Sequence, residues 1–198
     1  MNCLLIKNAD VYAPQPLGIV DILIINDKIA KIGQQLAAPQ GLDCQILDAQ
    51  ERKVVPGYVD QHVHIIGGGG ESGPYSRTPE INLSELTKVG ITTVVGVLGT
   101  DGTSRHNESL LAKARGLTHE GITAYMLTGS YEIPLHNMTG DVRRDIILIN
   151  ECLGIGEVAL SDHRSSQPTR EELEKVLTQA RLGGMLSGKA GVVRFHMG

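Results

Sequence analysis

Tryptophan is absent from this 198-residue sequence and phenylalanine occurs once. Without large aromatics the core has to be built from Val, Ile and Leu, as expected where strands are buried on both faces. No long run of Lys or Arg is present and the formal charge is -4, so the chain lacks the basic stripe that a nucleic-acid partner requires. No apolar stretch approaches the roughly 20 residues needed to cross a bilayer, and no membrane partner is expected. The first residues, MNCLLIKNADVYAP, carry no basic segment, and their apolar run stops at Lys7, Asn8 and Asp10. They read against a signal peptide. Cysteine is scarce: Cys3, Cys44 and Cys152 are odd in number and follow no metal or redox spacing. The expectation is buried or spectator thiols in a reducing, cytoplasmic compartment.

What is present is ordinary for a soluble globular chain, with 41% hydrophobic and 20% charged residues. Glycine is plentiful, 24 residues with four of them consecutive. Residues 1–55 read as a small β domain: LLIKNADVYA, then GIVDILIINDKIAKIG with a turn at Asn26-Asp27, then CQILDAQ. Over 56–198 apolar runs alternate with helical stretches. VVPGYVDQHVH, TTVVGVLG, TAYMLTGS, DIILINECLG with EVALSD, and VVRFHM are the apolar runs. NLSELTKVG, ESLLAKARGLTHEG and TREELEKVLTQARLGG are the helical ones. Thr169 with Glu172 predicts a capping box for the last helix, and Gly183-Gly184 its end. About five βα units imply a parallel sheet with right-handed crossovers, closed as a barrel or open as a doubly wound sheet. The pattern alone does not choose between them.

The strongest chemical signal is Asp60-Gln61-His62-Val63-His64 at the end of the first of these strands. Strand alternation puts His62 and His64 on one face, where two imidazoles can grip one metal ion. A lone H-x-H is common. This one follows a strand and precedes the four-glycine loop, the position where barrel enzymes place catalytic groups.

V-P-G-Y-V-D-Q-H-V-H resembles the metal-binding first strand of the amidohydrolase superfamily. The segments IIGGGGESGPYSRTPE, TTVVGVLGTDGTSRH, AYMLTGSYEIP, ALSDHRSSQPT and VVRFHMG are similar to its isoaspartyl (β-aspartyl) dipeptidases, so the resemblance covers essentially the whole chain. It implies an α/β fold: a partial TIM-like (β/α)8 barrel of about five βα units, preceded by a small β-sandwich segment. It implies a zinc-dependent hydrolase that cleaves β-aspartyl dipeptides with a metal-bridging hydroxide, two zinc ions per complete subunit, and a homo-oligomer at full length. His62 and His64 become ligands of one zinc and His196 a ligand of the second. Glu71 resembles the group that binds the substrate's α-ammonium, Gly69 and Thr100 further substrate contacts, and Arg164 a partner for a substrate carboxylate. Tyr131 resembles the phenol that polarises the scissile carbonyl. The family's proton-shuttling aspartate and remaining ligands are not found, so the chain is expected to be an inactive amino-terminal fragment.

One departure stands out: the family bridges its metals with a carboxylated lysine, yet there is no lysine between Lys113 and Lys175. In GIGEVALSD, alternation sets Glu157 apart from Val158 and Leu160, and Glu157 is expected to be the bridging carboxylate instead. An apparent extra residue around Gly156 would compensate for the shorter side chain. Ser161-Asp162-His163 carries the residue types of a nucleophilic triad, but sequence neighbours do not converge in space, so a serine hydrolase is discounted. His106, His119 and His136 read as surface residues. Two other readings stay open: an amidohydrolase acting on cyclic amides, dihydroorotase-like or hydantoinase-like, and a non-catalytic metal-binding remnant.

Overall fold

The computed structural model describes residues 2–198. The chain divides into two compact units, Met1–Pro56 and Gly57–Gly198. The first is built around β1 (Cys3–Tyr12), which pairs antiparallel with β2 (Pro16–Ile25) and parallel with β4 (Cys44–Asp48) and β5 (Lys53–Val54). The strand β3 (Lys28–Gly33) closes a hairpin on β2 across Asn26-Asp27, with Asn26 at positive φ. The order β3-β2-β1-β4 makes one mixed sheet with β5 beside β1. Ala9, Val11, Val20 and Ile22 pack together as its core.

Register in this sheet overturns the expectation of unpaired thiols. Cys3 and Cys44 lie 41 residues apart in sequence, yet they are direct partners across the parallel β1–β4 pair, with Cα atoms 4.4 Å apart, and form a disulfide. Spacing along the chain carries no trace of a pair created by strand register. Cys152 is free and buried.

A second register feature is a bulge in β1. Ile6 faces Ile22 while Ala9 faces Val20, so β1 holds one residue more than β2 at Lys7-Asn8, where Asn8 takes positive φ. Buried Asp21 pins this irregularity. It accepts from Lys7 Nζ at 2.7 Å and from the backbone N–H groups of Asn8 and Leu36 at 2.9 Å each. The Lys7 hydrogen bond, aided by those two N–H donors and opposed by burial, holds the Asp21 carboxyl below the usual range. A depressed carboxylate pKa stabilises the fold fully above the unfolded value, and that contribution is lost as pH falls through the folded value. Asp21→Asn is therefore expected to lower the melting midpoint of this unit by about 5 °C at neutral pH. It should also flatten the loss of stability below roughly pH 4. An unchanged acid limb in a melting series would sink this account.

In the second unit, strands and helices alternate: β6 (Tyr58–Val63), α1 (Leu83–Thr87), β7 (Ile91–Gly96), α2 (Asn107–Glu120), β8 (Thr123–Thr128), α3 (Val142–Leu148), β9 (Cys152–Ala159), α4 (Arg170–Ser187) and β10 (Val192–His196). All neighbouring strands are parallel in the order β10-β9-β8-β7-β6, and the sheet curls as half a barrel. Val94, Ala124, Met126, Ile155 and Val158 bury one face against Leu110, Ala114, Leu117, Ile146, Val176 and Ala180 of the helices. The opposite face is smaller, with Val95, Val97 and Leu127 packed beside Tyr125 and Leu153. Parallel strands send every βα loop to the same rim, which is what gathers distant residues into one site.

Two local expectations change. The run DIILINECLG is the end of α3, a turn and the start of β9, while EVA of EVALSD closes the same β9. Apolar residues in a short run do not reveal a helix-to-strand switch. The capping box at Thr169 and Glu172 forms, but α4 continues past Gly183-Gly184 to Gly188, which takes left-handed φ as its cap. Gly183 and Gly184 instead permit close approach. A Cβ at 183 would lie 3.0 Å from Ile146 Cβ, and one at 184 would lie 2.5 Å from Gly191 Cα.

Candidate metal and substrate site

The rim begins with β6. His62 lies in the strand and His64 just beyond it, their rings 5.4 Å apart in an edge arrangement. The Asp60 carboxylate accepts from His62 N at 3.0 Å and so fixes this turn of backbone. His64 packs on Gly99, where a Cβ would come 2.5 Å from the imidazole, so a side chain at 99 would displace the ring.

Glu157 reaches the same place from β9. Ile155 pairs with Val193 and Val158 with Phe195, so Gly156 and Glu157 together oppose Arg194 alone. β9 therefore carries a bulge at the position where an extra residue was expected. It lets Ile155 and Val158 both face the helices while re-aiming Glu157 toward the histidines. The two carboxylate oxygens divide: Oε2 lies 3.3 Å from His62 Nε2 and Oε1 lies 3.1 Å from His196 Nδ1. Donor atoms of His62, His64 and Glu157 all lie within 4.8 Å of one another. Glu157 Oε2 and His64 Nδ1 are buried without a hydrogen-bond partner. Orphaned polar atoms of a carboxylate and an imidazole, both Lewis bases, fit a divalent cation. Burial holds His62 below the usual imidazole pKa; the Glu157 charge opposes it, and Arg194 and His64 add to it. Arg194 Nη1 stands 3.1 Å from His62 Nδ1.

Tyr131 sits over this group. Its hydroxyl is 3.1 Å from His196 Nδ1 and 3.4 Å from Glu157 Oε1. Burial and the nearby Glu157 charge push the phenol up to about 12, so it stays protonated and can only donate to a developing negative charge.

Arg164 extends the site outward. It is held in a fork by Asp162, Nε to Oδ1 at 2.7 Å and Nη2 to Oδ2 at 2.8 Å, and it reaches Glu71 Oε1 through Nη1 at 3.0 Å. Its guanidinium lies 5.1 Å from the Tyr131 ring centroid. The fork drives the Asp162 carboxyl down and the Arg164 guanidinium up from their usual values. Glu71, Arg164, Gly69 and Thr100 all line one cavity of about 440 Å3, together with Arg77, Asp101, Ser104 and His163. His106, His119 and His136 are exposed. Ser161 and His163 are exposed beside buried Asp162, and no triad forms.

Sequence reasoning missed Arg194 and the cavity residues Arg77, Asp101 and Ser104, and two further residues are instructive. Asp162 was set aside with the triad, although an Asp two residues before an Arg can both cap the turn, here through Arg164 N at 2.8 Å, and fork the guanidinium. Buried Arg105 carries no pattern that distinguishes it from a surface arginine.

No family model matches the chain. The solved β-aspartyl dipeptidase of Fervidobacterium islandicum AW-1 superposes with a TM-score of 0.94 at 46% identity, covering 99% of this chain and 53% of that one. Nearly the whole chain is thus similar to about half of a solved β-aspartyl dipeptidase, the family that its motifs resemble. A second structure of the same dipeptidase, in complex with the β-Asp-Leu dipeptide, matches equally well over 51% of its length. Among curated proteins, dihydroorotase of Staphylococcus aureus is 39% identical over 90 residues, which is 46% of this chain and 20% of that one. Imidazolonepropionase of Psychromonas ingrahamii is 27% identical over 119 residues, 59% of this chain and 30% of that protein. The chain thus spans about half the length of the solved dipeptidases it matches and less of the curated relatives.

Because Glu157 is the carboxylate flanked by histidines from both β6 and β10, Glu157→Gln in the whole protein is expected to cut bound divalent metal at least about tenfold. The far-ultraviolet circular dichroism should be unchanged. Full metal content by elemental analysis of the folded variant would overturn the assignment.

Proposed function

We propose that the whole protein is a zinc-dependent dipeptidase that hydrolyses the isopeptide bond of β-aspartyl dipeptides. The observation that carries this reading is the Glu71–Arg164 pair, 3.0 Å apart on the wall of a cavity, with Arg164 also against the Tyr131 ring and 3.3 Å from His196 Nε2. A β-aspartyl residue presents an α-ammonium and an α-carboxylate on one carbon. A carboxylate beside a guanidinium fork is the matching pattern, and the fork suits a carboxylate better than a lysine would. The β-Asp-Leu bound to the Fervidobacterium enzyme supports the same class of ligand.

Two zinc ions would be held by His62, His64, Glu157 and His196, with Glu157 shared between them. When bound they would supply Lewis-acid polarisation and a water of lowered pKa. The chain's own residues do the rest of the work that can be assigned. Glu71 takes the α-ammonium, Arg164 takes the α-carboxylate, and Gly69 and Thr100 close the cavity around the ligand. Tyr131 donates its hydroxyl proton as a hydrogen bond to the scissile carbonyl oxygen as charge builds there. The resemblance further carries a cytoplasmic homo-oligomer with neither nucleic acid nor membrane as partner. No helix among the described residues is long and apolar enough to cross a membrane.

The dihydroorotase likeness makes a cyclic amide the competing substrate class. The zinc-loaded whole protein is expected to turn over β-Asp-Leu and to leave dihydroorotate and hydantoin untouched. Glu71→Gln should lower kcat/KM for β-Asp-Leu by about 100-fold. Turnover of a cyclic amide with β-Asp-Leu inert, or a Glu71→Gln variant of full efficiency, would overturn the reading. Tyr131→Phe should lower kcat by about 100-fold with zinc content unchanged, the cost of one oxyanion donor. A loss seen in KM alone would move Tyr131 from the reacting carbonyl to ground-state binding.

A further inference from the structure

The loop after β6 turns through Gly67, Gly68, Gly69 and Gly70 and returns at Arg77, which forms an isolated bridge with Gly69. Gly69 has positive φ, and a Cβ there would come 2.6 Å from Ser76 O, so the loop is folded tightly on itself. Two side chains from outside the turn hold it. Thr78 Oγ1 accepts from Gly68 N at 2.8 Å. Arg105, from the segment between β7 and α2, donates through Nη2 to Gly68 O at 2.7 Å and through Nη1 to Gly69 O at 3.1 Å.

Arg105 is 4% exposed, and its charge is poorly compensated. The carboxylate beside it, Asp101, lies 3.5 Å from Nη1 and is shared with Arg77 and with the Thr103 and Ser104 amides. Arg105 Nε has no partner. Burial and the neighbouring Arg77 pull the guanidinium below its usual value. A buried cation that shares its nearest carboxylate with a second arginine contributes little net stability, and an apolar side chain of similar volume would fill the space at lower cost. What the guanidinium does provide is direction. Two consecutive loop carbonyls are drawn inward onto one rigid fork, and Glu71, two residues further on, is presented to Arg164.

We propose that Arg105 is a positioning residue that clamps the Gly67–Glu71 loop through the Gly68 and Gly69 carbonyls, and so sets how tightly the cavity holds the substrate's ammonium group. The proposal rests on the dipeptidase reading for its substrate and on the loop geometry for its mechanism. Arg105 touches neither substrate nor metal ligands; it acts through Glu71.

The test compares Arg105→Met and Arg105→Lys in the zinc-loaded whole protein by two readouts. Amide hydrogen exchange over residues 67–76 in Arg105→Met should be about tenfold faster than in the wild type. KM for β-Asp-Leu should rise about tenfold while kcat stays within about threefold and zinc content is unchanged. Arg105→Lys keeps the charge without the planar fork and should fall between the two on both readouts. Wild-type exchange and KM in the folded variants would overturn the clamp. So would a loss of zinc that takes kcat with it, since that points to a general support of the fold. If Arg105→Met does not fold, Arg105→Lys decides by the same measurements. Failure of the wild-type protein to hydrolyse β-Asp-Leu would sink the dipeptidase reading, while loop exchange, which needs no substrate, would still decide the clamp.

Discussion

The constraint on which the site depends is a carboxylate buried where it has no permanent cation to itself. Glu157 is 4% exposed and stands between imidazoles from β6 and β10. The guanidinium groups nearby are engaged elsewhere: Arg164 by Asp162 and Glu71, Arg194 against His62. Burying a carboxylate without a partner is expensive enough that it ordinarily gives up its charge or acquires a counterion. One oxygen and one imidazole nitrogen in this cluster are left without hydrogen bonds. A cluster that is costly by itself becomes favourable once a divalent cation joins it, and that is the usual energetic signature of a metal site.

The backbone is arranged to create that constraint. Alternation along an unbroken β9 would have sent Glu157 and Val158 to opposite faces but would also have put Ile155 on the Glu157 side. The bulge at Gly156-Glu157 resolves the conflict, since Ile155 and Val158 both reach the helix-facing core and only Glu157 crosses to the histidines. Packing and function make incompatible demands on a period of two, and one extra residue satisfies both.

This explains what could and could not be read from the sequence. His62 and His64 are legible because their spacing matches the strand period, and the asparagine–aspartate turn and the capping box at Thr169 are legible because each is a local interaction. Glu157 is legible as the one acidic residue of a strand without a lysine, where the family resemblance leads one to expect a lysine. The Cys3–Cys44 disulfide is not legible, because it is made by register between strands 41 residues apart. The end of α4 was misplaced because Gly183 and Gly184 serve packing on α3 and Gly191, not chain reversal. Arg105 is invisible for a related reason: its meaning lies in which carbonyls the fold brings to it, and no composition or spacing encodes that.

The Glu71–Arg164 pair carries the argument on selectivity one step further. In the absence of ligand each charge satisfies the other, so the cavity does not hold an uncompensated carboxylate or guanidinium waiting for a partner. A ligand bearing only an ammonium would take Glu71 and leave Arg164 to Asp162 alone, and a ligand bearing only a carboxylate would strand Glu71. A ligand with both charged groups on one carbon replaces the internal pair without leaving either side unpaired. Arg164 and Glu71 are 27% and 42% exposed, so water softens the cost of a stranded partner, and the discrimination that remains depends on how firmly Glu71 is held. A loop of four glycines does not hold itself, and Arg105 fastens this one from behind through the Gly68 and Gly69 carbonyls.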